Sequence, residues 1–395
     1  MKNHTSSKSV FLFVLIVVLI SGCAGLGSNE SAASAPKMTA SGFECPAPEY
    51  PAEVTSTELN LFVWTEYISQ DMQECFELVY GIKVNKAEYS SMDQMLEKLS
   101  EGGTGYDLIQ PTDYAVSVLL RNGMLRELDR EKLLVIKSFD VNYLDFEFDP
   151  GNKYTIPYLA GTDAIVVNTG KVNNIPQSWA DLWDSEYANR MVFLDDSRSV
   201  IGLTLLSLGY DVNTTDAGQL AEARRQLKRL IPAIKLFDSD SPSNMLIEGQ
   251  ADLGMTWTGE AYIAKQENPK FEYIFPEEGV ILWQDNWALL TDAPHADAAY
   301  AWLNYTNQGN VFWMVMRDWP YTNPNTASLE YAKDNPMKVL DRDGSETTLS
   351  AIYEAYMSSE ITNVPPNVLR NGHRIADVGD ATTLYNEIWA DVRGQ

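Results

Sequence analysis

Short apolar runs and amphipathic stretches alternate along the chain from Glu58 onward. "ELNLFVW" (58–64) reads as a strand, "SQDMQECFELVYG" as an amphipathic helix closed by Gly81, and "IKVNKAEY" as a second strand. "SMDQMLEKLSEG" predicts a helix ending at Gly102, and "YDLIQP" a short strand. "TDYAVSVLLRNG" predicts a third helix, with Thr112 or Asp113 as its cap and Gly123 as its stop. The pattern restarts after "YTIPYLAGTDAIVVN", with strands near 163–168 and 191–194, helices at 198–208 and 216–230, and a strand in "ADLGMTW" (251–257). "VILWQDNWALL" (280–290) is a further strand, on which Trp283, Asp285 and Trp287 share one face. Such alternation predicts an α/β fold, with parallel strands covered by helices on both sheet faces.

The first 57 residues follow neither period. Lys2 and Lys8 precede an 11-residue apolar core, Val10–Ile20, which is too short to span a membrane and reads as a secretory signal over residues 1–22. The ending Ile20-Ser21-Gly22-Cys23 resembles a bacterial lipobox, in which Cys23 would be lipidated and become the new N-terminus. Several acyl chains on one residue would anchor the protein stably to a membrane of the cell envelope. Residues 23–57, rich in Ser, Ala, Gly, Pro and Glu, suit a flexible tether. Cys45 and Cys75 are the remaining cysteines, and in an oxidising compartment they form a candidate disulfide. About 340 residues beyond the tether exceed one ordinary core, so two lobes are expected.

Charge narrows the partners. The chain holds 29 Lys and Arg against 55 Asp and Glu, a net −26, and loss of the two leader lysines takes the mature chain to −28. That excludes the basic face nucleic acid requires, and is compatible with a small cation. Catalysis finds little support. His295 and His373 stand in no motif with a nucleophile or a metal-ligand partner, and "SEGGTGYD" lacks the Lys-Ser/Thr ending of a phosphate loop. Acids with tryptophans also describe glycoside hydrolases and sugar-binding proteins, but no spacing here singles out a catalytic pair. No metal, cofactor or catalytic residue is expected.

In open α/β sheets, ligands bind beyond the carboxyl ends of strands. Those ends are "VWTEY", "IQPTDY", "FLDDSRS", "MTWTGE" and "LWQDNW", and four of the five pair a Trp or Tyr with an acid. A carboxylate among aromatic walls has lost water and needs a compensating charge, yet only "FLDDSRS" offers one, in Arg198. An organic ammonium fits: carboxylates accept its N–H bonds and rings line its methylenes. Candidate walls are Trp64, Tyr67, Tyr114, Trp257, Trp283 and Trp319, although singly each type more often packs a core. Candidate acids are Asp285, Asp196, Glu66 and Glu260, with Asp113 and Asp163 behind them; Asp196 reads equally well as a helix cap.

These motifs in this order, with "GIKV", "IPYLAG", "SWADLW", "FPEEGVILWQDNWAL" and "NGHRIADVG", resemble the extracytoplasmic spermidine/putrescine-binding proteins of bacterial ABC importers across about residues 58–395. The resemblance implies a type II periplasmic-binding-protein fold: two α/β lobes, each a mixed sheet flanked by helices, joined by a hinge around the ligand. The lobes would comprise 58–161 plus 284–329, and 162–283 plus 330–395. It implies a monomer that passes a polyamine to an inner-membrane permease, or reports it to a membrane sensor protein. Carried over by motif, Trp64, Glu66, Tyr67, Thr112, Tyr114, Asp196, Trp257, Trp283 and Asp285 match the family's binding site, and Trp319 stands where a tyrosine is usual. Glu260 matches an acid of putrescine-preferring members. Ser199 replaces an amine-binding glutamate, and Ile375 a glutamine of spermidine binders. A putrescine-like diamine is therefore expected over spermidine, and another organic cation or solute is the alternative.

Overall fold

Fourteen consecutive buried residues, Thr155–Asn168, make the longest strand of the protein. The computed structural model describes residues 35–394; the leader and Cys23 lie outside the described residues. In chain order the strands are β1 (Glu58–Trp64), β2 (Lys83–Tyr89), β3 (Leu108–Ile109), β4 (Thr155–Asn168), β5 (Met191–Phe193), β6 (Ile234–Phe237), β7 (Leu253–Trp257), β8 (Phe271–Ile274), β9 (Ile281–Leu289), β10 (Lys338–Leu340), β11 (Glu346–Thr348) and β12 (His373–Arg374). The helices that bear on the site are α1 (Gln70–Tyr80), α2 (Met92–Ser100), α3 (Asp113–Arg121), α4 (Ser197–Ser207), α5 (Ala217–Leu230), α6 (Pro242–Ile247), α7 (Thr258–Glu267), α8 (Ala296–Thr306) and α9 (Gly309–Asp318).

One sheet runs β2-β1-β3-β9-β4-β7-β5-β6, with β12 beside β9 and β8 beside β4. The parallel pairing expected from the alternation holds at its two ends, where β2, β1 and β3 are parallel and so are β7, β5 and β6. The centre is antiparallel. β9 pairs β3 and β4, and β4 pairs β7 and β8. The sheet is thus mixed, and β4 and β9 run through both of its halves.

β4 starts eight residues before the strand predicted near 163. Burial on both faces removes the polar–apolar alternation that signals a strand, and Pro157 and Gly161 suggest breaks. Pro157, which has no N–H to donate, falls where the register with β9 shifts between Pro157 and Leu159.

The segment expected to be a solvated tether through residue 57 is docked on the body from Lys37 onward. Lys37 Nζ reaches the carbonyls of Leu78 and Val79 at 2.6 and 3.0 Å, at the C-terminal end of α1 where helix carbonyls lack partners. The Ser41 hydroxyl donates to Asp71 at 2.6 Å, and the Thr55 amide donates to Asp297 in the first turn of α8 at 2.7 Å. Cys45 and Cys75 are joined by a disulfide closing a separation of 30 residues. A loop of that length is worth about 3–4 kcal/mol in the chain-entropy account. Composition alone suggested disorder, but local polar contacts and one covalent link hold this strap down.

Candidate functional site

The turn after β1 sets the first wall. Trp64 ends the strand, and Glu66 takes a left-handed conformation (φ 49) that reverses the chain so that Tyr67 faces inward. The Tyr67 hydroxyl donates to Asp285 at 2.9 Å, and Tyr158 holds the turn by donating to the Tyr67 carbonyl at 2.7 Å. Thr112 occupies the N-cap position of α3 but makes no side-chain cap; its hydroxyl donates instead to Asp285 at 2.6 Å. A Thr cap is worth about 1 kcal/mol, which α3 forgoes so that Thr112 can orient the acid.

Asp285 lies in the middle of β9, and among the described residues no Lys or Arg is bonded to it. Burial pushes its carboxyl up to about 7, against the lowering effect of the two hydroxyls. Trp283 shares its face and lines the same cleft. Trp287 does not. It is buried in the core against Tyr158 and Trp302, at ring-centroid distances of 5.3 and 6.0 Å. Of the two indoles on its own strand only Trp283 stays with Asp285 on the cleft; the other indole near its carboxyl is Trp64 of β1, whose N–H joins the two hydroxyls in favouring the ionised form.

Two glycines make room for rings. A Cβ on Gly161 would fall 2.4 Å from Cζ2 of Trp283, and one on Gly259 would fall 2.6 Å from Cζ of Tyr321. Trp283 and Tyr321 meet edge to face at 5.5 Å, Tyr67 and Tyr321 at 5.4 Å, and Trp64 meets Trp257 at 5.8 Å. Trp257, Trp64, Tyr67, Tyr321, Trp283 and Tyr114 wall a cleft of about 740 Å³, measured out to its mouth.

Six acids line this cleft: Glu66, Asp113, Asp196, Asp240, Glu260 and Asp285. No Lys, Arg or His is among the described lining residues. Asp113 is already matched, its Oδ2 accepting from Arg374 at 2.5 Å. Asp196 caps α4 by accepting the Ser199 amide at 2.8 Å, and it also faces the cleft; burial, then the neighbouring Asp93, raises it to about 6. Both readings of that residue hold at once. Glu260 accepts the Ser243 amide at the start of α6 at 3.0 Å, and burial raises its carboxyl. Glu66 is exposed at the mouth. Arg198 is bonded elsewhere: its guanidinium lies 5.3 Å from the Tyr114 ring and 4.6 Å from the Tyr385 ring, and it donates to Asn213 and the Ala376 carbonyl, so it offsets the rise of Asp196 only through space.

Trp319 is not on the cleft. It sits at the end of α9 with Arg342 over its ring at 5.7 Å, and Tyr321, two residues on, takes the wall instead. "DWPYTNP" held that signal: a two-residue shift brings a tyrosine to the position where one was expected. Met92, Ile281, Ser239 and Asp240 were also unforeseen. The last two follow β6, a strand partly exposed and too short to read from its pattern, yet its end obeys the same carboxyl-end rule. Among the described residues no group of three or more His, Cys, Asp or Glu is placed to hold a metal ion, and no helix is long and apolar enough to cross a membrane.

A mixed two-lobed α/β body with an acidic, aromatic cleft at its strand ends is the architecture of a solute receptor, and residues 72–339 match the family described as bacterial extracellular solute-binding protein. The chain belongs to that family; it is an exported solute-binding protein and not an enzyme. It is 35% identical to the spermidine/putrescine-binding periplasmic protein 1 of Haemophilus influenzae over 84% of this chain and 88% of that protein. It is 30% identical to the putrescine-binding periplasmic protein PotF of Escherichia coli K12, over 68% of this chain and 78% of the relative. The crystal structure of the spermidine/putrescine ABC transporter substrate-binding protein PotD from Streptococcus pneumoniae superposes with a TM-score of 0.67 at 28% identity, over 86% of this chain and 99% of that one.

Proposed function

We propose that the cleft captures a small polyamine and that the protein delivers it to an ABC importer. The observation that carries this reading is Asp285: a buried carboxylate, oriented by Tyr67 and Thr112, with no basic side chain among the described residues to neutralise it. A primary ammonium supplies both the charge and the N–H donors, while the rings of Trp64, Trp257, Trp283 and Tyr321 take the methylenes. The relatives named for spermidine, putrescine or both support the same ligand class. Asp285 holds one ammonium, and Asp196, Glu66 or Glu260 holds the other. Ser199 carries no charge and Ile375 no polar group where they line the cleft, so the additional charged and amide partners of a longer triamine are missing there and a putrescine-like diamine is favoured. Cys23 carries the lipid anchor in this reading, the two lobes are 58–161 with 284–329 and 162–283 with 330–395, and the receptor acts as a monomer.

Calorimetry against putrescine, cadaverine, spermidine, a quaternary amine and a neutral sugar tests the assignment. Putrescine or cadaverine should bind most tightly. Tight binding of the sugar with no response to the diamines would overturn it.

A further inference from the structure

Behind the cleft wall, on β4, lies an acid to which the ligand assignment gives no role. Asp163 is fully buried, its backbone held between Trp257 of β7 and Ile281 of β9. One carboxyl oxygen accepts the Ser199 hydroxyl at 2.6 Å. The other makes no close hydrogen bond, and its neighbouring donor is the indole N–H of Trp283, itself without a close partner, which favours the ionised carboxyl but is outweighed by burial. The titratable groups facing it are Asp196 at the start of α4, Asp113 at the start of α3 and Tyr273 on β8, none of them a cation. Ser199 itself lies on the cleft wall, three residues after Asp196, whose carboxylate accepts its amide. A serine hydroxyl has one proton to give and two lone pairs. Here the proton goes to Asp163, which leaves the lone pairs free for a donor in the cleft.

We propose that Asp163 is a specificity-determining positioning residue that acts through Ser199: when a primary ammonium seats against Ser199 and Asp196, Asp163 loses its proton to solvent and becomes a second counter-ion. The inference rests on the polyamine reading of the cleft. Burial raises the Asp163 carboxyl to about 8, so the empty protein holds it neutral at pH 7. A cation one hydroxyl away favours the ionised form. A quaternary ammonium has no N–H to give to Ser199 and gains less, so this end of the cleft selects primary amines.

The test is calorimetry with putrescine at pH 7 in buffers of different ionisation enthalpy, on the parent, Asp163→Asn and Ser199→Ala. The parent should release about one proton more per ligand than Asp163→Asn. The variant should bind about tenfold or more weakly. Ser199→Ala, which leaves the acid but removes the bridge, should reproduce both effects, and it serves as the second probe if melts show that Asp163→Asn fails to fold. Equal affinity and equal proton release in parent and variants would overturn the inference alone. A parent that binds no polyamine would overturn the functional reading, and this inference with it.

Discussion

At the scale of single residues, the cleft trades stability for binding. Asp285 has a folded-state carboxyl near 7 against an ordinary value of 3.8, so between those values the native state holds more protons than the unfolded chain. Stability of the unliganded protein therefore falls as pH rises through that window, and the cost is complete above about pH 7. Asp285→Asn keeps the shape and removes the cost, so the unliganded variant should melt at a higher temperature than the parent at pH 8. The same change should weaken diamine binding by at least about 30-fold, since losing a buried charge partner costs ~2–5 kcal/mol. Calorimetry and a thermal melt on one sample read both. Gly161→Ala acts on a wall instead of a charge: its Cβ would force the Trp283 ring away from its seat. A lost cation–π contact of ~0.5–2 kcal/mol predicts an affinity about 2- to 30-fold lower by titration, with Asp285 untouched.

At the scale of elements, α3 and β12 are joined by the ion pair of Asp113 with Arg374, and the same helix reaches Asp377 through Arg121. Arg374 belongs to the second proposed lobe and Asp113 to the first, so the pair bridges them. Asp113 is buried and Arg374 partly exposed, so Arg374→Ala strands an acid that burial already raises. Its expected cost is ~2–5 kcal/mol in chemical denaturation, and adding Asp113→Asn should recover most of it; full additivity in that double-mutant cycle would show the two residues uncoupled. The elements legible in the sequence were those with a solvated face. β1 through α3 read correctly because their helices are amphipathic and end in Gly, Ser or Thr signals. β4 was truncated because all fourteen residues are buried, and β6 was missed because it is four residues long. The site was legible where a strand end carried its own aromatic and acid. Period two placed Trp287 correctly on the face of Asp285, but could not foresee that β4 and α8 roof it over. Tyr321 escaped because its position depends on the turn after α9 and on the space above Gly259, neither of which is a local pattern.

At the scale of the whole molecule, the acids act together, and pH exposes their sum. In the empty cleft Asp285 is raised to about 7, Asp196 to about 6, and Glu260 is raised as well. A dicationic ligand prefers each of them ionised, so below those values binding must first expel protons. Its amines, like a lysine, stay charged throughout this range and add no opposing slope. In Asp163→Asn, where these acids act alone, affinity should therefore be greatest near pH 8, fall about tenfold per pH unit once pH drops below 7 and more steeply below 6, and lose about two to three orders of magnitude by pH 5. In the parent, the proton that Asp163 gives up should add about tenfold per pH unit to that fall from pH 8 downward. The unliganded protein moves the other way, because the same raised acids make it more stable as pH falls from 7 towards 4. The melting-temperature gain from a fixed ligand concentration should thus shrink from pH 8 to pH 5 while the ligand-free melt rises. A neutral solute would give a flat affinity profile and a constant gain. The net charge of −26 adds a long-range field that draws cations to the mouth, and salt weakens that field without changing the protons expelled. Repeating the pH series at high ionic strength should accordingly lower every affinity and leave the slope intact, which assigns the slope to buried carboxylates in the cleft and not to surface charge.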